Sequence, residues 1–261
     1  MSGSALWVFG YGSLIWNPGF EYSNSQIGRI HGYCRRFYQG SDTHRGNKQR
    51  IGRVVTLIEE EGVSTWGRAF QLTDESSTLA YLTNRESSLG GYTTVIAQFH
   101  PLDPREESFP VLVYIALPCN SLFLGSAPLE QIAKDIAYSS GICGPNVEYL
   151  AKLAAFMRIH LPHESDDHLF CLEDSVQEIL TKDMNYKLLK LFDEALENEI
   201  NDLIELKSVI NRMDSALDLS STPTTPTSSS SFSDSDVNHR MESSSKHTDR
   251  VTVRKLRCIN K

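Results

Sequence analysis

Short runs of apolar residues, separated by breaks rich in glycine, fill the first half of the chain. The runs are rich in β-branched and aromatic residues, which is typical of β-strands. The predicted strands are residues 6–9, 29–38, 53–58, 65–72, 93–99 and 111–116. A short helix is predicted between the fourth and fifth strands, with Asp74 as its cap and with Leu79, Tyr81 and Leu82 on its buried side.

Beyond Pro118 the apolar residues recur at helical spacing. Four helices are predicted there: one opened by Ser126 and Pro128 with Leu129 on its apolar side, one opened by Pro145, one over residues 164–180 and one from residue 186 to about 213. Because the strands come first and the helices follow, the pattern predicts an α+β fold rather than alternating βαβ units. The strands are expected to pair antiparallel or to close into a small barrel.

The C-terminal end has a different composition. Residues 214–250 are dominated by Ser and Thr and contain few aliphatic side chains, so they cannot bury enough apolar area to offset their chain entropy. We expect three parts: a globular domain over residues 5–183, a helical extension over 184–213 and a disordered tail over 214–261. In an alternative interpretation, residues 251–256 dock as an extra strand.

Charge and hydropathy narrow the class of protein. Lys and Arg number 25 against 33 Asp and Glu, a net charge of −8, which argues against a nucleic-acid or anionic-membrane partner because phosphate binding needs clustered cations. The sequence has no apolar run of about 18 residues that could cross a membrane, and its first residues do not resemble a signal peptide. A cytoplasmic protein with a small soluble substrate is expected.

Cysteine and histidine spacing predicts neither a metal site nor a redox pair. The five cysteines are Cys34, Cys119, Cys143, Cys171 and Cys258. They are odd in number and widely separated, and no pair has the C-x-x-C spacing of a zinc or redox site. The histidines at 31, 44 and 100 are also scattered. Unpaired thiols in a reducing compartment are expected.

The most informative loop directly follows the first strand and consists of Gly10, Tyr11, Gly12, Ser13, Leu14 and Ile15. We call it the 10–15 loop. Its glycines allow the backbone to approach a ligand and leave N–H groups free to point at it. A dinucleotide fingerprint is disfavoured because Ile15 stands where the third glycine belongs. A purely structural turn is the remaining alternative.

A second candidate is the acidic residue in Arg85-Glu86, which precedes Gly90-Gly91-Tyr92. A carboxylate at the end of a helix, beside a flexible loop, can lie at the mouth of a barrel and act as a general base if partial burial raises its pKa. The alternative is a solvated surface glutamate.

Two pairs of cations lie in the strand region, Arg35-Arg36 and His44-Arg45. They could bind a carboxylate ligand or be surface charge. No nucleophile is evident, because Ser13 lacks the G-x-S-x-G pattern.

Together these segments resemble the ChaC family of glutathione-specific γ-glutamylcyclotransferases, from Trp7 to about Leu172. The matching stretches are Trp7-Val8-Phe9-Gly10-Tyr11-Gly12-Ser13-Leu14-Ile15-Trp16, Arg35-Arg36-Phe37, Gly40-Ser41, His44-Arg45-Gly46, Gly52-Arg53-Val54-Val55-Thr56-Leu57, Trp66-Gly67, Arg85-Glu86, Gly90-Gly91-Tyr92, Tyr149-Leu150 and His168-Leu169-Phe170.

The resemblance implies a small closed β-barrel with flanking helices and, for residues 5–183, a catalytic domain. It also implies cleavage of glutathione into 5-oxoproline and L-cysteinylglycine without a metal or cofactor. The family's catalytic glutamate falls on Glu86, and its substrate-binding loop falls on the 10–15 loop. The long helix and the tail lie outside the resemblance.

This chemistry explains why no protein nucleophile is needed. The α-amine of the γ-glutamyl group attacks its own γ-carbonyl, and Glu86 takes a proton from the amine. Backbone N–H groups of the 10–15 loop would hold either the developing oxyanion or the substrate's α-carboxylate. Two other functions remain open: a cyclotransferase for other γ-glutamyl peptides or amines, and a non-catalytic binding protein with the same fold.

Overall fold

A computed structural model describes residues 5–87 and 92–219, without the side chains of residues 83–87, 92 and 213–219. Five strands form a closed barrel in the order β1-β3-β2-β4-β5. They are β1 (Trp7–Gly10), β2 (Tyr22–Ser41), β3 (Gly52–Leu72), β4 (Tyr92–Pro101) and β5 (Phe109–Ala116). The predicted α+β class with a small closed barrel is confirmed.

The short strand β1 closes the barrel. It pairs antiparallel with β3 along its whole length, from Trp7 opposite Gln71 to Gly10 opposite Arg68. On its other side it pairs parallel with β5, where Val8 lies opposite Leu112. The other neighbouring pairs of the barrel are antiparallel. Of the two predicted arrangements, antiparallel pairing or a small closed barrel, the closed barrel is observed, and its seam contains one parallel pairing.

The strands predicted at residues 53–58 and 65–72 are a single strand, β3, so the predicted break between them is wrong. The charged and glycine residues at 59–62 suggest a break, but in the structure they are exposed on an irregular stretch where the register between β2 and β3 shifts. Gly62 there has a φ of 83°. A bulge with solvent-facing acidic side chains can continue a strand.

One helix, α1 (Glu75–Ser87), lies between β3 and β4. In the part of the chain that the structure describes, four more follow the barrel: α2 (Leu129–Tyr138), α3 (Asn146–His160), α4 (Asp167–Lys182) and α5 (Tyr186–Leu219). Two very short strands, β6 (Ser140–Gly141) and β7 (Gly144–Pro145), connect α2 to α3. Of the helices described, none is both long and apolar enough to span a membrane.

The predicted cap of α1 is confirmed, because Asp74 Oδ1 accepts a hydrogen bond from the Ser77 N–H at 3.1 Å. Leu82 is fully buried and Leu79 is partly buried, but Tyr81 is 39% exposed. The predicted place of Tyr81 on the buried side of the helix is therefore wrong. Its ring lines a cavity instead.

Two helix starts differ from their predictions. Pro128 occupies the N-cap position of α2, while Ser126 accepts a hydrogen bond from the Tyr38 hydroxyl at 3.2 Å and caps nothing. Leu129 is exposed rather than part of the apolar side. The helix predicted from residue 164 starts later, because Glu164 instead accepts a hydrogen bond from the Trp66 indole N–H at 3.0 Å.

Helix α5 continues to Leu219, past the end predicted near residue 213. The stretch 214–219 contains Ala216, Leu217 and Leu219, which favour helix enough to outweigh Ser215. By internal contacts the chain divides into two compact units, Met1–Leu206 and Lys207–Lys261. Residues 220–261 lie outside the described residues, and with them most of the predicted disordered tail and its alternative as an extra strand.

Two apolar clusters carry most of the packing. The first fills the barrel and includes Phe9, Ile30 and Phe99. The second joins α2, α3 and α4 to the outside of the barrel, and the predicted apolar stripe of α3 is buried in it, including Leu150 and Met157. Complete burial of such a side chain stabilises a fold by about 1.5–3 kcal/mol.

A histidine lies at the junction of α4 with β2. His168 Nε2 accepts a hydrogen bond from the Phe37 N–H at 3.1 Å. Burial, assisted by the nearby positive charge of Arg36, lowers the pKa of His168 to about 4 from its ordinary value of 6.5. The ring is therefore neutral at pH 7, with its proton on Nδ1 because Nε2 is an acceptor.

This histidine predicts a pH dependence of stability. Below pH 6.5 the unfolded chain binds a proton that the folded chain does not bind until about pH 4, so acidification through this window favours unfolding. In His168→Gln the amide oxygen can still accept the Phe37 N–H. We expect that its melting temperature falls less steeply between pH 6.5 and 4, by on the order of a few degrees. Parallel slopes of melting temperature against pH for the two proteins would contradict the assignment.

Candidate active site

A cavity of about 520 Å³ lies where β1 and β2 end. This volume falls within the roughly 300–1,000 Å³ typical of small-molecule sites. Its walls are Tyr11, Gly12, Ser13 and Leu14 of the 10–15 loop, the segment from Gly40 to Arg45, Val54 and Val55 of β3, Tyr114 of β5, Tyr81 of α1, Tyr149 of α3, and Phe9, Trp16, Asn17 and Cys143.

The 10–15 loop forms one wall of the cavity. It makes a single turn of 3₁₀ helix over Ser13–Ile15, in which the Ile15 N–H donates to the Gly12 carbonyl at 2.9 Å. Ile15 is almost fully buried and anchors the turn in the core. Of the six predicted loop residues, the middle four line the cavity, whereas Gly10 and Ile15 shape the loop from outside it.

The two glycines of the loop are required by close packing. A Cβ atom on Gly12 would lie 2.6 Å from the Tyr149 hydroxyl and 2.7 Å from Cγ2 of Val55. A Cβ atom on Gly10 would lie 2.7 Å from the Cβ of Leu14. Side chains at either position would therefore push the loop away from the barrel.

Tyr11 is held at both ends. Its hydroxyl donates to the Tyr114 carbonyl at 2.7 Å, and its backbone carbonyl accepts from an Arg35 guanidinium N–H at 2.8 Å. Arg35 itself is buried and paired with Asp166. It therefore fits neither interpretation offered by the sequence, a ligand-binding cation or surface charge. Its neighbour Arg36 is partly exposed and pairs with Glu60, as surface charge does.

Among the described residues, Arg45 is the only arginine or lysine that lines the cavity. Its side chain is 10% exposed, and one guanidinium nitrogen donates to Glu148 Oε2 at 2.5 Å and to the Pro145 carbonyl at 3.0 Å. Burial acts to raise the pKa of Glu148, but hydrogen bonds from Lys152 and Arg45 outweigh it and lower the pKa. The pair is therefore ionised, and a cation is fixed in the cavity wall.

The predicted general base, Glu86, belongs to the last turn of α1. The same helix contributes Tyr81 to the cavity wall, so α1 borders the cavity. The side chain of Glu86 and the glycines Gly90 and Gly91 lie outside the described residues. Its role as the base stays a prediction.

Several cavity residues were not predicted as site residues. Tyr149 fits the buried face of α3 by its spacing, and Tyr114 fits a strand that is buried on both sides, so periodicity assigns both to the core. Cys143 reaches the cavity from the turn between β6 and β7, for which the sequence carries no signal. The resemblance to the ChaC family includes Tyr149 and was the one available indication.

Within residues 5–87 and 92–219, no cluster of three or more His, Cys, Asp or Glu side chains is arranged to hold a metal ion. None of the four cysteines described there forms a disulfide, and Cys34 is buried. Burial raises the pKa of the Cys34 thiol to about 11, so this thiol is protonated and unreactive at pH 7.

Comparison with known proteins finds one matching family model and, among the similar proteins, several that carry the same name. A family model described as ChaC-like protein matches residues 6–179. A zebrafish protein (Danio rerio) named glutathione-specific gamma-glutamylcyclotransferase 1 is 49% identical over 172 residues, which cover 65% of this chain and 88% of the relative. The human protein of the same name is 47% identical over 178 residues, covering 67% of this chain and 80% of the relative.

A solved structure shows the same architecture. It is a crystal structure of a yeast gamma-glutamyl cyclotransferase specific to glutathione, with 30% sequence identity and a TM-score of 0.61. The match covers 67% of this chain and 97% of the yeast chain.

Proposed function

The chain belongs to the ChaC family, and we propose on that basis that it cleaves glutathione by intramolecular cyclisation, giving 5-oxoproline and L-cysteinylglycine. The observation that carries the proposal is the 47–49% identity with relatives named glutathione-specific gamma-glutamylcyclotransferases, over 80–88% of their length. The cavity beside the 10–15 loop supports it, because the loop belongs to the matched region.

The reaction forms one bond and breaks another. The α-amine nitrogen of the γ-glutamyl group attacks the γ-carbonyl carbon and closes a five-membered ring, and the bond from that carbon to the cysteine nitrogen breaks. Because nucleophile and electrophile belong to one molecule, the site has mainly to fold the glutamyl chain and exclude water.

In this proposal Glu86 moves the proton. The ammonium form of the amine cannot attack, so Glu86 takes its proton and then delivers one to the departing cysteine nitrogen. Its support is the position of Glu86 in α1, a helix that borders the cavity through Tyr81.

The 10–15 loop supplies backbone donors. Gly12 lines the cavity, so its main chain is within reach of a ligand. An N–H directed at the γ-carbonyl oxygen would stabilise the charge that develops there during attack. The same donors could instead bind the α-carboxylate, and kinetics separate these roles, because the first affects mainly kcat and the second mainly KM.

The fixed cation Arg45 suits the second charged end of the substrate. Glutathione carries a glycine carboxylate as well as the α-carboxylate, and the Arg45 guanidinium has donors beyond the nitrogen bonded to Glu148 and Pro145. We assign Arg45 to the glycine carboxylate. The acidic composition, together with the odd number and wide separation of the cysteines, further supports a cytoplasmic enzyme without a nucleic-acid partner.

Incubation of the purified full chain with glutathione tests the proposal directly. We expect 5-oxoproline and cysteinylglycine in equal amounts. γ-Glutamylcysteine and γ-glutamylalanine, assayed in parallel, establish whether other γ-glutamyl peptides are also substrates. Absence of 5-oxoproline from every substrate, with a folded protein, would favour a non-catalytic binding role.

The first prediction concerns Glu86. Glu86→Gln keeps the size of the side chain and removes the base, so we expect kcat for glutathione to fall on the order of 10²-fold or more, the usual range for a general base, without a change in melting temperature. Glu75→Gln is the matched control, since Glu75 begins the same helix and its contact with the Leu6 N–H needs only an acceptor oxygen. Equal activity of the two variants would exclude Glu86 as the base.

The second prediction concerns Gly12. In Gly12→Val the side chain collides with the Tyr149 hydroxyl and with Val55, so the loop must leave its position against the barrel. We expect loss of glutathione binding in a folded protein. Calorimetry in the Glu86→Gln background, with Gly12→Ala as the smaller step, measures binding without turnover. An unchanged Kd in folded Gly12→Val would show the loop to be a structural turn.

The third prediction concerns Arg45. Arg45→Met removes the guanidinium but leaves Glu148 paired with Lys152. Loss of a hydrogen bond between charged groups costs about 1.5–3 kcal/mol, so KM for glutathione should rise roughly 10- to 100-fold. KM for γ-glutamylcysteine, which lacks the glycine, should not change. Arg50→Met is the control, since Arg50 contacts Tyr138 outside the cavity wall. An equal rise of KM for both substrates would reject the assignment of Arg45.

A further inference from the structure

We propose that Arg35, held by Asp166, is a positioning residue that turns the Gly12 N–H of the 10–15 loop towards the substrate cavity. The inference rests on the proposed function, since it concerns how the loop is made ready for the cyclisation. It adds a residue that does not line the substrate cavity.

The Arg35 guanidinium is fixed by three contacts. Its Nε donates to Asp166 Oδ2 at 2.8 Å, one terminal nitrogen donates to the Tyr11 carbonyl at 2.8 Å, and the other lies 3.4 Å from the sulfur of Met157. The side chain is 1% exposed. A planar group with three fixed contacts can place a partner atom with little freedom.

Arg35 lies on the far side of the loop from the substrate. It lines a second cavity of about 360 Å³, together with Asp166 and His168, and is not part of the wall of the first. The Tyr11 carbonyl therefore points away from the substrate cavity, towards the guanidinium. Tyr11 and Gly12 themselves line the substrate cavity.

The hydrogen bond from Arg35 to the Tyr11 carbonyl also determines the direction of the Gly12 N–H, because both groups belong to the same planar peptide. No cis peptide bond occurs in the described chain, and across a trans peptide the C=O and the following N–H point in opposite directions. Because the Tyr11 carbonyl is directed at Arg35, the Gly12 N–H is directed into the cavity. Among the described residues this N–H has no acceptor, so it is available to an anionic substrate oxygen.

Without Arg35 the same peptide could turn over. Glycine on one side imposes little restriction on rotation of the peptide plane. A reversed peptide would place the Tyr11 carbonyl oxygen in the cavity, where it would repel the developing oxyanion or a carboxylate. The hydroxyl bond of Tyr11 to Tyr114 fixes the ring but not the plane of the peptide.

The ion pair is poorly explained by stability alone. Buried ion pairs often contribute little net stability, because desolvation of the two charges offsets their attraction. Asp166 already has a structural task, since its Oδ1 caps α4 by accepting the Leu169 N–H at 3.1 Å. Its second oxygen, Oδ2, accepts a hydrogen bond from Arg35, and Arg35 in turn donates to the Tyr11 carbonyl in the 10–15 loop.

The chain contains a matched control. Arg53 is also buried; its Nε donates to Asp135 Oδ2 at 2.7 Å, and one terminal nitrogen donates to the carbonyls of Phe37 and Gly125 at 3.2 and 3.1 Å. This pair repeats the chemistry of the Arg35–Asp166 pair but holds carbonyls outside the 10–15 loop. Arg53 does not line the substrate cavity.

The test compares Arg35→Lys with Arg53→Lys. Wild-type cleavage of glutathione is measured first, and its absence would reject the proposed function without bearing on Arg35. With an active wild type, we expect Arg35→Lys to lose roughly 10²-fold in kcat/KM, the effect of a misplacement of about 1 Å at a reacting centre. Arg53→Lys should stay within a few-fold of wild type. Equal kcat/KM per folded molecule in both variants would overturn the proposal.

A second pair of variants covers the case in which either lysine variant does not fold. Asp166→Asn keeps the cap of α4, because the amide oxygen still accepts the Leu169 N–H, and Asp135→Asn is its counterpart at Arg53. Activity should fall in the first variant and not in the second. Equal activities of these two would likewise overturn the assignment.

Chemical rescue gives a readout that a merely structural arginine would not move. The second cavity leads to the site vacated in Arg35→Ala, so added guanidinium ion should restore part of kcat, whereas the same concentration of ammonium ion should not. Recovery of kcat with guanidinium alone supports positioning through the Tyr11 carbonyl. No recovery, or equal recovery with both ions, counts against it.

Discussion

Closure of the barrel through β1 is the constraint on which the site depends. This strand pairs with β3 on one side and with β5 on the other, and its Val8 and Phe9 are almost fully buried. Because the strand is paired along both edges and buried on both faces, the position of its last residue is fixed. The 10–15 loop therefore emerges at a fixed place, between β3 and the helix that carries Tyr149. The cavity is a consequence of that placement rather than of the loop alone.

The sequence predicted the elements with strong periodicity and missed those that tertiary contacts decide. Helix α3 was predicted because its apolar stripe is continuous, and it is buried along that stripe. The sequence predicts a break in place of the bulge in β3, because exposed acidic residues and a glycine such as Gly62 occur both in loops and in irregular strands. The start of α4 was misplaced because Glu164 has a distant partner, Trp66, that no local pattern reveals.

Of the candidate site, the sequence predicts the 10–15 loop, whose backbone lines the cavity, but not the side chains around it. Glycines after a strand indicate a close approach whatever the partner, so the 10–15 loop could be found from the chain itself. Aromatic side chains such as Tyr149 serve core and cavity equally well, and hydrophobic spacing assigns them to the core. Arg35 was ambiguous for a related reason: a buried ion pair is made by a residue far away in the sequence, and charge alone does not disclose it.

The distance along the chain between Arg35 and its carboxylate has a consequence for biosynthesis. The two residues are separated by 131 positions, and the loop that Arg35 braces lies still nearer the N-terminus. During translation the loop leaves the ribosome long before Asp166 exists. The strands of a nascent chain can form early, but the hydrogen bonds from Asp166 through Arg35 to the Tyr11 carbonyl form only after α4 has been synthesised and has packed against the barrel. The enzyme is thus assembled late, and unfinished chains in the cell would not consume the peptide on which the finished protein acts.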